Sequence, residues 1–332
     1  MAEPGRPGSE EMVLAFLAEA GDEFVSGEAI SDKLGLSRAA VWKHVESLRA
    51  QGYRIDAVSA RGYRLAGVPD RLGALELRPL LATHDVGQVL HWFEEVASTN
   101  DVAKALAEKG AAHGEVVVAE AQTAGRGRRG RVWASPPRRN VYLSVVLRPE
   151  LPPARAAELT LVASVALCEA MRQADVAAAI KWPNDLLVGG RKVAGILLEM
   201  AAEPDQVQWL VLGMGVNVNA RAEDFPEEVR PLATSMAIER GGPVSRALFT
   251  AAALTRLEEW LDRHAAEGFA PAREAWRSMS DTLGREVRVR MAGERDLEGI
   301  AEDVDDAGAL LVRAGDRVER VLAGDVEFLR RR

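Results

Sequence analysis

Residues 122–133 read Q-T-A-G-R-G-R-R-G-R-V-W. Three glycines (Gly125, Gly127, Gly130) alternate with four arginines (Arg126, Arg128, Arg129, Arg131). Glycine lets a backbone take positive φ and come close to a ligand. Arginine offers a charged planar fork that matches carboxylate and phosphate oxygens. Together they predict a loop that closes over an anion. Taken alone, the stretch also reads as an arginine- and glycine-rich segment that binds RNA or DNA. Its surroundings separate the two readings. Apolar runs of strand length, at 116–119 and 141–147, flank it. A loop set between two core strands belongs to a fold and not to a tail.

Composition limits the rest. The chain has 332 residues, 48% of them hydrophobic and 28% charged, which suits a globular protein of two or three domains. A net charge of −8 argues against non-specific nucleic-acid binding by the whole molecule but leaves room for a local basic face. The lone cysteine, Cys168, rules out an internal disulfide and a thiolate-rich zinc site. It lies in an apolar, helix-like run and reads as core. The start, M-A-E-P-G-R-P-G-S-E-E, lacks the basic-then-apolar pattern of a signal peptide. No uninterrupted apolar run approaches the roughly 18 residues of a membrane span. A cytoplasmic protein without a membrane partner is expected.

A first helix is expected over 12–20, ended by Gly21. Ser26 is placed to cap a short helix ending at Gly35, and Ser37 to cap a second one running to Gly52. Val41, Val45 and Leu48 fall at i, i+4 and i+7, one buried stripe. Two such helices joined by L-G-L-S form a helix-turn-helix pattern. Alternating segments at 53–58 and 63–65 around Gly62 predict a hairpin, or wing. Residues 1–36 carry a net −6, whereas residues 37–66 carry +4. The positive charge thus falls on the second helix and the wing, which would meet phosphates and groove. Candidate DNA-contacting residues are Ser37, Arg38, Ala39, Trp42 and Lys43 early on that helix, and Arg61 in the wing. A winged helix serving only protein contacts is the other reading. The segments S-R-A-A-V-W-K-H-V-E-S-L-R and R-G-Y-R-L resemble the winged helix-turn-helix domain of the biotin operon repressors.

Beyond residue 67, a short helix is expected over 71–81, a strand over 90–96 and a helix over 101–108 closed by Gly110. Ser98-Thr99-Asn100 sits at that helix start, where hydroxyls, an amide and free N–H groups converge. Simple N-capping also accounts for it. A strand over 115–122 leads into the glycine–arginine loop. Residues 159–171 and 244–263 read as amphipathic helices supporting a sheet. Trp260, Phe269 and Trp276 read as core. Lys192 begins a β-forming run, 193–198, after the Gly189-Gly190 turn. It is either a solvated edge charge or a cation that neutralises a carboxylate and an α-phosphate. Activation of a carboxylate by ATP requires the latter, because two anions must meet.

The order S-T-N, E-A-Q-T-A-G-R-G-R-R-G-R-V-W, K-W-P-N-D-L-L-V (181–188), R-K-V-A-G-I-L-L-E (191–199) and G-M-G-V-N-V-N (213–219) resembles the catalytic domain of biotin protein ligases. With both flanking modules the likeness spans nearly the whole chain and is strongest to the bifunctional ligase–repressor branch. The resemblance implies biotin and ATP as substrates, with Mg²⁺. It implies biotin binding by Ser98, Thr99, Asn100, Gln122, Gly125, Arg126, Gly127, Arg128 and Lys192. It implies ATP binding by Arg126, Arg128, Arg131, Asn184, Lys192 and Asn217, and catalytic roles for Lys192 and Arg128. Asp185 would hold the metal, unless it only shapes a Pro-Asn-Asp turn. Trp133 reads equally as core or as a pocket wall. The acidic loop 220–231 matches a region that orders over adenine in the family, but its sequence departs too freely to name a stacking residue.

The last fifty or so residues change character. Val287, Val289 and Met291 alternate, and turns are expected at Gly293, Asp306-Ala307-Gly308 and Gly315. A small β-barrel is expected, SH3-like by resemblance, with L-A-G-D-V-E-F-L-R as its last strand. It could dock a carrier or buttress the ligase domain. The expected architecture is α+β and multidomain. Residues 1–66 form the winged helix-turn-helix. Residues 67–280 form a mixed α/β ligase domain like those of class II aminoacyl-tRNA synthetases, and residues 281–332 the barrel. The family implies a biotin carboxyl carrier protein and operator DNA as partners, and a homodimer once the adenylate is bound. Three other functions fit the sequence: a biotin-responsive DNA-binding regulator without ligase activity, a lipoate or octanoate transferase, and a ligase that has lost repression.

Overall fold

The computed structural model describes residues 8–291 and 296–329. The turn expected at Gly293 lies outside them. Three helices open the chain: α1 (Ser9–Glu19), α2 (Gly27–Leu34) and α3 (Arg38–Ala50). The Ser26 hydroxyl accepts from the Ala29 N–H, and that of Ser37 from the Ala40 N–H, so both expected caps form. Gly35 ends α2 at φ 65°, a conformation glycine adopts without strain. Val13, Leu17, Ile30, Val41, Val45 and Leu48 close this module's own small core. The wing follows as β1 (Arg54–Val58) and β2 (Gly62–Gly67). Gly62 has φ +99°, and a Cβ there would lie 2.0 Å from the Val25 carbonyl oxygen. Only glycine lets the wing lie against that segment, where Val25 and Tyr63 exchange backbone hydrogen bonds of 2.8 Å.

The helix expected over 71–81 is shorter: α4 (Ala74–Leu77), then a 3₁₀ turn at Arg78–Leu80. Pro79 lacks an N–H and restricts its predecessor, which explains the tightening. Around this border the Tyr53 hydroxyl donates to Glu76 Oε1 at 2.5 Å. Burial, and then Glu76, push that phenol above its usual range. Arg78 meets Glu11 at 2.9 Å, and the Arg71 guanidinium lies 4.4 Å from the Trp92 ring centre.

The centre is one sheet with strand order β3-β4-β5-β9-β8-β7-β6. Its strands are β3 (Leu90–Phe93), β4 (Val116–Ala119), β5 (Val141–Leu147), β6 (Ala179–Lys181), β7 (Asp185–Val188), β8 (Arg191–Ala202) and β9 (Val207–Val216). The only parallel pair among these is β3 with β4, joined through α5 (Thr99–Glu108). Four helices follow β5 in the chain: α6 (Ala156–Gln173), α7 (Met236–Arg240), α8 (Arg246–Glu267) and α9 (Ala270–Met279). All seven residues of β5 are buried, because α6 and its neighbours cover one face while α5 and the candidate site cover the other. Helix α6 departs from the amphipathic expectation. It is buried on nearly every side, packed between the sheet, α8 and α9, with the turn at Gly308 close to Leu161. A helix apolar all round is what such a sandwiched position requires. Trp260, Phe269 and Trp276 are core as expected. So is Cys168, whose thiol burial pushes up to about 11.

The C-terminal strands are β10 (Glu286–Arg290), β11 (Asp296–Val304), β12 (Leu310–Ala314), β13 (Arg317–Val321) and β14 (Asp325–Phe328). They form an antiparallel sheet in the order β13-β12-β11-β10-β14. Val287 and Val289 are fully buried, as their alternation requires, and they join the core of the central sheet directly. The Trp182 indole donates to the Gly308 carbonyl at 3.0 Å across this contact. No helix among the described residues is long and apolar enough to cross a membrane.

Candidate active site and DNA-facing surface

Strand alternation puts Ser144 of β5, Gly195, Leu197 and Glu199 of β8, and Gly213 and Gly215 of β9 on one face. Ser144 pairs with Gly213, Gly213 with Leu197, and Gly215 with Gly195. This row of small residues leaves a hollow of about 670 Å³, the size of a ligand pocket. The space above the glycines is already used. A Cβ at Gly213 would lie 2.0 Å from Asn100 Oδ1, and one at Gly215 2.7 Å from the Trp133 ring. The alternation in G-M-G is therefore a packing requirement. Trp133 stands revealed as a wall of the hollow.

At one end, Ser98, Thr99 and Asn100 are buried at the start of α5 and line the hollow with Gln122. Simple capping does not explain Ser98, whose side chain makes no cap hydrogen bond. Gln122 Oε1 accepts from the Thr99 N–H at 2.9 Å, and its amide donates to Ser135 Oγ at 3.0 Å. The Ser144 hydroxyl donates to Asn100 Oδ1 at 2.6 Å and lies 2.8 Å from Thr99 Oγ1. Asn100 Nδ2 donates to Glu199 at 2.8 Å, and Lys104 meets the other oxygen of that carboxylate at 2.9 Å. Burial alone would raise the Glu199 pKa, but Lys104 and Asn100 outweigh it and hold the carboxyl below its usual range. This end is polar, largely hydrogen-bonded and nearly neutral overall.

The glycine–arginine loop folds over the hollow as a tight hairpin. The Gly127 N–H donates to Arg131 O at 2.7 Å, and the Trp133 N–H to Gly125 O at 2.8 Å. Gly127, Arg126, Arg128 and Arg131 line the hollow. Gly125 lies buried beneath the loop, where a Cβ would come within 2.6 Å of the Trp133 carbonyl oxygen. Arg126 reaches Asp101 at 2.5 Å and Glu199 at 3.4 Å. Arg128 turns inward, donating to Asn184 Oδ1 and to the Gly324 carbonyl, each at 3.2 Å. Burial draws its guanidinium down from the usual arginine range. Arg129 and Arg131 meet Asp325 at 3.5 and 2.6 Å. The loop therefore leans on the C-terminal sheet, a contact no local pattern announces.

Lys192 begins β8 beside Trp133, its Nζ 5.3 Å from the ring centre and 2.6 Å from Asp185 Oδ1. Its backbone holds the segment after the acidic loop, accepting from Thr234 at 2.9 Å and donating to Leu232 at 2.7 Å. Phe225, Pro226, Val229 and Leu232 of that region line the hollow, residues for which the sequence offered no rule. Asn184 and Asn217 are buried braces. Asn184 Nδ2 donates to Ile196 O at 2.7 Å, and Asn217 Nδ2 to Thr234 O at 3.1 Å. Lys181 also lines the hollow. No group of three or more His, Cys, Asp or Glu side chains is placed to hold a metal among the described residues.

On the N-terminal module, Ser37, Arg38, Ala39, Trp42 and Lys43 are all exposed along one side of α3, and Arg61 is exposed on the wing. Trp42 is 58% exposed, which a core role would forbid. Arg38 meets Glu28 at 2.7 Å. The Arg61 and Arg64 guanidinium groups lie 4.4 and 4.8 Å from the Phe24 ring centre. Phe24 thus holds the wing arginines, a role invisible without the fold.

Three family profiles match the chain. One described as "Biotin/lipoate A/B protein ligase family" matches residues 92–217, one described as "HTH domain" matches 10–64, and one described as "Biotin protein ligase C terminal domain" matches 282–329. The bifunctional ligase/repressor BirA of Bacillus subtilis is 39% identical over 317 residues, covering 95% of this chain and 97% of the relative. BirA of Escherichia coli is 33% identical over 318 residues, covering 95% and 96%. Among solved structures, the biotin protein ligase from Aquifex aeolicus in complex with biotin and ATP is 29% identical with a TM-score of 0.63. It covers 73% of this chain and 99% of its own. With a winged helix at one end, a ligase-type hollow at the centre and likeness along almost the whole length, this chain belongs to the biotin protein ligase family, in its bifunctional ligase/repressor branch.

Proposed function

We propose that this chain is an ATP-dependent biotin protein ligase and a biotin-responsive repressor of biotin genes. The observation that carries the enzymatic reading is one hollow with a wired, neutral polar end and, at the other, Lys192, Arg128 and Arg131. Biotin has the same polarity: an uncharged hydrogen-bonding ring system and a distant carboxylate. Ser98, Thr99, Asn100 and Gln122 would take the ureido ring and thioether region, where fixed polar groups give selectivity. Gly127, Arg126 and Arg128 would wrap the chain, with Gly125 setting the loop's depth. Lys192 would leave Asp185 to bridge the biotin carboxylate and the α-phosphate. The carboxylate oxygen attacks the α-phosphorus, pyrophosphate leaves, and biotinyl-5′-AMP remains. Lys192 and Arg128 lower the barrier by facing the charge that builds on the phosphoryl oxygens. A neutral lysine amine of a biotin carboxyl carrier protein then attacks the anhydride carbonyl, and AMP leaves.

Arg131 would stand on the nucleotide side, with Asn184 and Asn217 fixing the strand ends there. Mg²⁺ fits as an ion held mostly by phosphates and water. Asp185 would be its protein ligand, and its chemistry would be charge neutralisation. The acidic loop, with Phe225 and Val229, would close over the adenine.

The repressor reading rests on the exposed basic side of α3 and the wing. Ser37, Arg38, Ala39, Trp42 and Lys43 would meet the major groove, and Arg61 a phosphate. An adenylate-bound homodimer in the cytoplasm would occupy a two-half-site operator, so unused biotinyl-AMP acts as corepressor. We take residues 1–66, 67–280 and 281–332 as the three domains. Two measurements test these readings. Biotin-dependent ATP–pyrophosphate exchange is expected, and its absence would end the ligase reading. Gel shift on DNA upstream of the biotin genes should tighten with biotin plus ATP; affinity indifferent to both would end the linkage.

A further inference from the structure

The cations of the hollow fall into two groups. Lys192 is paired with Asp185 at 2.6 Å, Arg131 with Asp325 at 2.6 Å, and Arg126 with Asp101 at 2.5 Å. Lys181 and Arg128 have no carboxylate within ion-pair distance among the described residues. Arg128 meets only neutral acceptors, the Asn184 amide oxygen and the Gly324 carbonyl. Lys181 ends β6 directly opposite Asp185 of β7. It is half-buried, with its Nζ 5.2 Å from the centre of the Phe328 ring of β14. Burial, the largest influence on Lys181, pulls its ammonium below the usual lysine range. A cation drawn out of water without an anion is costly unless a ligand supplies one.

Topology says which anion. Lys192 and the polar end fix where a carboxylate and an α-phosphate meet. Lys181 and Arg128 lie beyond, beside Phe328 and Gly324 of the C-terminal sheet. We propose that Lys181 binds the leaving pyrophosphate of ATP, held in place by the Phe328 face. The proposal rests on the ligase reading above. As the bond from the α-phosphorus to its bridging oxygen breaks, the electron pair stays on that oxygen, now part of pyrophosphate. Lys181 neutralises this charge without giving up its proton. The C-terminal sheet thereby contributes to the nucleotide end of the site: β14 supplies the aromatic face that aims Lys181. A cation over an aromatic ring is attracted to its face, so Phe328 acts as a positioning residue.

The two half-reactions separate this role from a merely structural one. Pyrophosphate is present while biotinyl-AMP forms and absent while biotin moves to the carrier. Lys181→Met should slow biotin-dependent ATP–pyrophosphate exchange about 100-fold, the usual loss when one aimed charge is removed. It should also weaken product inhibition by inorganic pyrophosphate. Transfer from supplied biotinyl-AMP to a carrier domain should stay near wild type, as should biotin affinity. Lys181→Arg should restore much of the exchange. Phe328→Leu should lower exchange in the same direction but less, again sparing transfer. Equal loss of both half-reactions, or exchange unchanged in Lys181→Met, would overturn the proposal and leave Lys181 a structural charge on Phe328. If wild type itself shows neither half-reaction, the ligase reading fails instead.

Discussion

Asn100 shows how closely the site is built around single atoms. Its Oδ1 accepts from Ser144, its Nδ2 donates to Glu199, and a Cβ at Gly213 would stand 2.0 Å from that Oδ1. Gly213→Ala should therefore displace Asn100 while leaving the strand paired. Overpacking of this kind costs about 1–3 kcal/mol, so biotin affinity should fall roughly 10- to 100-fold. Calorimetry of biotin binding checks this, and an unchanged affinity would mean that Asn100 does not fix the ligand. The same residues show what was readable beforehand. Ser98-Thr99-Asn100, Lys192 and the arginines were legible because unusual residue types cluster at turns and strand ends. Ser144 and Glu199 were not. A serine in a strand and a glutamate in a longer motif look ordinary until three strands bring them onto one face.

Helix α3 joins two kinds of information. Its buried stripe and its Ser37 cap were legible from spacing alone, because they depend only on neighbours within the helix. So was its exposed basic side. The wing's dependence on Phe24 was not, since that contact joins separate segments. Lys43 is exposed on α3 and forms no ion pair among the described residues. If it meets a phosphate, Lys43→Ala should weaken DNA binding uniformly and reduce the slope of log affinity against log salt by about 1. Ligase turnover should not change. Titration of DNA at several salt concentrations decides it; an unaltered slope would place the groove elsewhere. At this same scale α6 was misjudged. Its pattern is too apolar for a two-sided helix, and the partners that cover it beyond the sheet are α8 and α9, far away in sequence.

The whole molecule is tied together by charges buried between elements. Arg246, fully buried, meets Glu120 at 2.7 Å and Asp70 at 2.9 Å, joining α8, the end of β4 and the segment after the wing. Glu158 of α6 is likewise fully buried, bonded by His264 at 2.8 Å and by Arg155 at 2.7 Å. Burial would raise the Glu158 pKa, but these partners outweigh it and hold the carboxyl below its usual range. A depressed carboxyl stabilises the fold above its unfolded pKa, and that contribution is lost as pH falls toward the folded value. Glu158→Gln should therefore cost about 2 kcal/mol near neutrality, and the gap to wild type should narrow as pH drops through the carboxylate range. Thermal unfolding across that range measures it, and a constant gap would contradict it. Arg155 and Glu158 stand only three positions apart, but the other pairings were illegible in the sequence, because each joins residues separated by a hundred positions or more.

The same distance in sequence separates the arginine loop, Lys192 and the C-terminal sheet, which meet only in the fold. Their meeting is the basis for the ligase reading, and Lys192 is the residue on which it turns. Labelled biotin should pass to a carrier domain when wild type is supplied with ATP and Mg²⁺. Lys192→Ala should form the labelled carrier at least ~100-fold more slowly, while its fold and DNA binding without ligand persist. Equal labelling by both proteins, or none by wild type, would contradict the account.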